Sequence, residues 1–319
     1  MQHAKPAARR RGPCRGHGGQ PPVRASLWWC GESRQIWVVH PPDRCHGRAP
    51  VSVVEHSGGE SPAEEAFERL VEEGDERLSR AWLPLLATGL LGGVDVGTGV
   101  LAYFLVQHYT HNTLLAGLAF SVGFVALLLA RSELFTENFL VPVVAVAAGH
   151  RGMWSLLRLW ALTLGMNLVG GWVITWLIVT GRPDLKETAV EVSAHYFELG
   201  FTLHSFVLAV LAGTVITLMT RMQHATDNLG VQLVPAIVFG ALLAGGQLFH
   251  SVLDSLFMFA GLHSGSSFGY LDWLGALGWS ALGNLVGGVG LVTTIRLVRT
   301  QHRVREDRAD QAKPGPETL

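Results

Sequence analysis

From Ala81 to Val298 the chain is almost continuously apolar, interrupted by turns and not diluted by charge. A helix needs about 20 apolar residues to cross roughly 30 Å of hydrocarbon. Six stretches are of that order: 81–107, 113–130, 154–180, 200–220, 231–262 and 271–298. Lipid offers backbone amides no hydrogen-bond partner, so runs of this kind must satisfy themselves as helices. The chain is therefore expected to be an all-α membrane protein of six spans with both ends on one side. The polar stretch Ser132–Asn138, SELFTEN, lies awkwardly between two apolar runs, and it is either a loop or a break inside a membrane helix.

Arginine placement orients the spans, because short cytoplasmic loops are rich in Lys and Arg. Arg77 and Arg80 precede the first span, Arg151 and Arg158 flank the turn after the second, Arg221 ends the fourth, and Arg296, Arg299, Arg303 and Arg305 follow the sixth. The turns 108–112 and 263–270 contain no Lys or Arg, and in 181–199 Arg182 and Lys186 are outnumbered by Asp184, Glu187, Glu191 and Glu198. Both termini are expected to be cytoplasmic, in a multi-pass plasma (inner) membrane protein surrounded by the lipid bilayer.

Only 15% of residues are charged, against about 25% in soluble domains. The net charge of −1 gives no case for nucleic acid. The three cysteines, Cys14, Cys30 and Cys45, lie outside the apolar body, and their spacing fits no zinc pattern. The Arg- and His-rich residues 1–60 show neither helical nor strand period, so they read as a disordered leader or as sequence upstream of the true start. In Ser61-Pro62-Ala63-Glu64 the chain has the signature of a capping box with Pro at the first helical position. Phe67, Leu70, Val71 and Leu78 then recur at helical spacing, which predicts an amphipathic cytoplasmic helix over 62–79 lying on the membrane surface. Residues 299–319 read as a charged cytoplasmic tail.

The apolar body contains itself twice. Asn167-Leu168-Val169-Gly170-Gly171 recurs as Asn284-Leu285-Val286-Gly287-Gly288, and Glu133-Leu134-Phe135-Thr136 has a counterpart in Gln247-Leu248-Phe249-His250, at offsets of 117 and 114. Each half holds three spans, so the second must be inverted in the membrane, as in transporters that place a site at the midplane between broken helices. SELFTEN and QLFHSVLD are then paired breaks in spans two and five, with second half-helices starting near Asn138 and near Ser251 or Asp254. The NLVGG glycines serve close helix packing.

SELFTENFLVPVVAV, FHSVLDSLFM, the two NLVGG copies and Phe120-Ser121-Val122-Gly123 together resemble the formate/nitrite transporter family, over about residues 80–300. The resemblance implies an aquaporin-like hourglass built as a 3+3 inverted repeat. It also implies a homopentamer with one pore per protomer, passing small monovalent anions or their acids, with protons as a further partner. By position, Thr136 corresponds to the family's pore-facing Thr and His250 to its central pore histidine. Asp254 falls where Asn is common, and Phe120, Leu134 and Phe135 correspond to the apolar constrictions. One departure stands out: counted back from Met222, the position of the family's vestibule lysine holds Glu198, and the three lysines, Lys5, Lys186 and Lys313, all lie outside the spans.

Imidazole titrates near neutral pH, so His250 can donate a proton to a weak acid's anion or present a positive field, with Asp254 one turn along either as its structural partner or as a pore residue itself. Thr136 either contacts solute or caps the following half-helix. Glu198 is either a solvated loop acid or a lure that favours ammonium-like cations or neutral solutes. Asp95, costly within a span, needs a partner such as Arg131 or a wet cavity. No nucleophile–base pair, phosphate loop or metal-ligand cluster emerges, so neither an enzyme nor a cofactor is expected. The expectation is a channel or transporter for weak-acid anions, with the same fold retuned to ammonium-like or neutral solutes as the alternative. An aquaporin-like water or polyol channel is disfavoured, because neither break contains Asn-Pro-Ala.

Overall fold

The computed structural model describes residues 62–311, together with two short strands, β1 (Ala25–Trp28) and β2 (Ile36–Val39), paired antiparallel in the leader where the sequence showed no strand period. The remainder of the leader, the Ser61 cap and residues 312–319 lie outside the described residues.

Residues 62–311 are helical throughout, apart from turns. Five helices are long and apolar enough to cross a membrane: α2 (Trp82–Thr110), α3 (Thr113–Ala130), α5 (Met153–Gly181), α7 (Leu203–Gln223) and the run Tyr270–Arg299. That last run comprises α10 (Tyr270–Leu285), a π-helical segment Val286–Thr293, and α11 (Thr294–Arg299). The expected fifth span is two shorter pieces, α8 (Leu229–Gly245) and α9 (Ser251–Ser264). Beyond α3 the chain passes through a 3₁₀ turn, Phe135–Phe139, into α4 (Val141–Ala148), which starts where Pro142 can occupy the first turn without losing a bonded amide. SELFTEN is thus an interruption between two helices. The outward faces carry Leu91, Val122, Trp176, Val234 and Leu282, all exposed, which suits a lipid or subunit environment rather than water.

Two elements depart from expectation. The acidic stretch after α5 is α6 (Lys186–Glu198), which packs against α9 and buries Ala189, Val192 and Tyr196 at three- and four-residue spacing. The second is the helix expected on the membrane surface. In α1 (Pro62–Ser79) the apolar face is covered by protein: Phe67, Leu70 and Val71 are buried with Leu140, Val141, Val144 and Ala148 around α4. Gly74 makes that approach possible, since a Cβ there would stand 2.6 Å from the Val141 carbonyl oxygen. The C-terminal tail also has structure, α12 (Gln301–Gln311), whose Arg308 guanidinium donates to the Ala147 carbonyl at 2.6 Å.

Candidate functional site

The two interruptions are built alike. Arg131 after α3 and Gln247 after α8 both take left-handed backbone, φ 53° and 50°, which ends a helix and redirects the chain. The amides follow in step: Arg131 to Leu128 and Ser132 to Leu127 in one, Gln247 to Ala244 and Leu248 to Leu243 in the other. Each unwound strand is then held by the asparagine of an NLVGG copy. Asn167 accepts from the Phe135 amide (2.9 Å) and donates to the carbonyls of Glu133 (2.8 Å) and Gly89 (2.7 Å). Asn284 accepts from the Ser251 amide (2.9 Å) and donates to the carbonyls of Phe249 and Ala209 (both 2.8 Å). Two remaining carbonyls of the first break are bonded by Trp160 (Asn138, 3.0 Å) and Thr293 (Phe139, 2.7 Å). Unwound backbone at membrane depth survives because its polar groups are satisfied in this way.

These bonds set a register of 116 residues, in which Arg131 matches Gln247, Phe135 matches Ser251 and Asn138 matches Asp254. The sequence match of ELFT with QLFH is therefore two residues out of structural register. Thr136 and His250 are not equivalent positions, yet they meet.

His250 is the N-cap of α9: its Nδ1 accepts from the Leu253 amide at 3.1 Å. That bond requires a lone pair on Nδ1, so the neutral ring carries its proton on Nε2. Nε2 lies 2.8 Å from the Thr136 hydroxyl, so His250 donates and Thr136 accepts. Both side chains are buried. Thr136 caps no helix, because α4 begins after Leu140 without a side-chain cap.

Asp254 does not pair with His250 as expected. Its amide donates to the His250 carbonyl (2.9 Å), but both carboxylate oxygens are buried without a hydrogen-bond partner among the described residues. His250, as the N-cap, has extended backbone (φ −110°, ψ 119°), so its ring does not stand over the face of α9 that carries Asp254. Asp95 does find a partner, the Ser132 hydroxyl at 2.5 Å, and not Arg131. Phe120, Leu134 and Phe135 are all buried. The Phe120 ring meets Phe124 edge-on at 5.6 Å, and Phe135 meets Phe139 at 5.0 Å.

A cavity lies on either side of this buried layer. One, of about 550 Å³, is roofed by α1 and lined by Arg77, Arg80, Glu133, Glu137 and His224. There α1 is tied down by charge. Arg80 pairs with Glu133, Arg77 donates to Asn138 Oδ1 (3.1 Å), and His224 Nε2 is 2.9 Å from Glu73. Burial raises the Glu73 pKa, but the hydrogen bond from His224 and the charge of Arg77 outweigh it and hold the carboxyl down at about 2. The other cavity, about 210 Å³, lies at the α6 end and is lined by Tyr196, Phe249, Asp272 and Trp279. Glu198 is exposed at the last turn of α6. Sequence reading gave no site role to Tyr196 or His195, took Asn138 only as the start of a half-helix and used Arg77 only for orientation. The apolar period of α6 was the available signal for Tyr196.

Apolar outward faces, spans of membrane length and interrupted helices with internally satisfied backbone define an integral membrane protein of the channel and transporter class. The sequence profile described as Formate/nitrite transporter matches residues 64–298, and the chain belongs to that family. It is 26% identical over 266 residues to "Inner membrane protein YfdC" of Escherichia coli (strain K12), covering 77% of this chain and 80% of that one. Its fold is that of an "FNT family ion channel" (TM-score 0.69, 18% identity, 74% of this chain and 98% of the other) and of a "Pentameric formate channel with formate bound" (TM-score 0.59, 20% identity, 69% and 98%).

Proposed function

We propose that this protein passes a small monovalent weak acid of the formate class across the inner membrane, as the anion accompanied by a proton, through a pore centred on Thr136 and His250. The observation that carries the reading is the 2.8 Å contact between these side chains, each from a different interrupted helix, buried between two cavities. Phe120, Leu134 and Phe135 are the apolar barrier that bare anions do not cross. The Nε2–H of His250 and the Thr136 hydroxyl are its polar centre. Because Nδ1 is held by the Leu253 amide, full protonation of the ring would break the cap of α9. The resting site therefore offers a hydrogen-bonding field at Nε2 and no stored proton, and the proton travels with the solute.

The matching caps and asparagine clamps support a 3+3 inverted repeat with an aquaporin-like hourglass. The pentameric formate channel relative supports a homopentamer with a pore in each protomer. The arginine distribution supports cytoplasmic termini, with the α1 end facing the cytoplasm.

A second reading, selectivity for ammonium-like or small neutral solutes, is favoured by one observation: carboxylates stand on the α6 side of the barrier, Glu198 exposed and Asp254 buried without a hydrogen-bond partner among the described residues. Uptake of formate and of methylammonium by the full-length protein in liposomes, across pH, separates the two. On the first reading formate enters and His250→Ala abolishes it. Methylammonium uptake that Glu198→Lys removes, without formate uptake, would transfer the assignment to the second. No flux of either overturns both.

A further inference from the structure

The last turn of α6 holds two ionisable groups one turn apart, His195 and Glu198, beside the aromatic mouth at that end. The His195 ring meets Tyr196 edge-on at 5.2 Å and Phe249 at 5.9 Å. Phe249 is the residue before His250, so His195 stands one aromatic ring from the start of the second break. Its Nε2 is buried with no hydrogen-bond partner among the described residues, so nothing in the fold consumes that nitrogen. Glu198 on the same helix is exposed and close enough to favour the imidazolium. A helix C-terminus also favours a cation in its final turn.

We infer that His195 and Glu198 form an acid-activated charge selector at the α6-end mouth, a specificity element for the proposed pore. With His195 neutral, the pair carries the single negative charge of Glu198 and holds anions off. With His195 protonated the pair is neutral and the repulsion is gone. The other charges facing this region do not change the sign of the switch. His204 of α7 opposes the imidazolium. Asp272 of α10 is fixed as a cap, accepting from the Gly269 amide at 2.8 Å. Asp254 of α9 is buried, away from the exposed Glu198. Burial, the largest influence, sets His195 below its ordinary value, which places switching on the acid side of about 6.5.

This inference rests on the proposed weak-acid pore, and the two can fail separately. The full-length protein in liposomes would be given formate at fixed anion concentrations, at about pH 7.5 and about pH 5.5, on either side of the histidine range, and KM separated from maximal rate. The wild-type KM for the anion should fall by about threefold or more on acidification, the effect of cancelling one charge several ångströms away across a wet mouth. His195→Gln should keep the high value at both pH values, and Glu198→Gln, at an exposed position, should already show the low value at about pH 7.5. A wild-type fall in KM retained in His195→Gln, or a Glu198→Gln KM at about pH 7.5 equal to that of the wild type, overturns the selector and leaves the pore intact. Absence of wild-type formate uptake overturns the pore as well.

Discussion

Replacing Asn167 by Ala removes three hydrogen bonds at once and leaves their partners where they are. The Phe135 amide and the carbonyls of Glu133 and Gly89 lie at 2.9, 2.8 and 2.7 Å from the amide group that would be lost. Asn167 is fully buried, so no solvent stands ready to replace it. An orphaned buried polar group costs about 1–3 kcal/mol, so the loss should be at least about 3 kcal/mol. For a chain of this size that lowers the melting midpoint by roughly 6–12 °C. Thr163 supplies the control: one turn earlier on α5, equally buried, its hydroxyl has no hydrogen-bond partner among the described residues, so Thr163→Val should melt at or above the wild-type temperature. The assay is thermal unfolding in detergent, followed by near-UV circular dichroism. If Asn167→Ala melts with the wild type, the clamp does not hold the break open, and the account of how unwound backbone survives at this depth is wrong.

Three further outcomes follow from the same contacts. Gly74→Ala should push α1 from α4 at a cost of about 1–3 kcal/mol, read as faster amide exchange across 67–78 with exchange in α5 unchanged. The Glu73 carboxyl is lowered in the folded protein, so its contribution to α1 docking is present above the unfolded value near 4.5 and disappears as pH falls towards 2. Protection of α1 amides should decline through that window in the wild type and be flat in Glu73→Gln. Thr136→Val removes the acceptor for His250 Nε2–H. It should reduce formate flux by tenfold or more, about 1.4 kcal/mol in the barrier, while far-UV circular dichroism remains that of the wild type.

Much of the fold was legible because membrane helices declare themselves by length and apolarity. The run Thr113–Ala130 is observed with the bounds its composition suggests, as is the amphipathic helix to Ser79. The two NLVGG asparagines stood out as a repeated motif and prove to be the two clamps. The register between breaks did not follow from letters. It is set where Arg131 and Gln247 enter left-handed backbone, and neither residue type announces that conformation. The partner of Asp254 was misjudged because four residues is one turn only when the backbone is helical at both ends. His250 sits outside α9, as its cap, with its ring turned towards Thr136.

The sequence by itself determined the environment and the class: apolar runs that only lipid tolerates, two breaks, and the histidine and threonine that belong to them. Tertiary structure decided which groups meet. The bond between Thr136 and His250 joins residues 114 apart, and Arg69 with Asp227 residues 158 apart. Such pairings depend on how helices cross, and crossing is fixed by packed shapes such as the Gly74 contact rather than by any local pattern. For the same reason α1 left the membrane surface expected of it, since the apolar face that suits a bilayer suits the flank of α4 equally well.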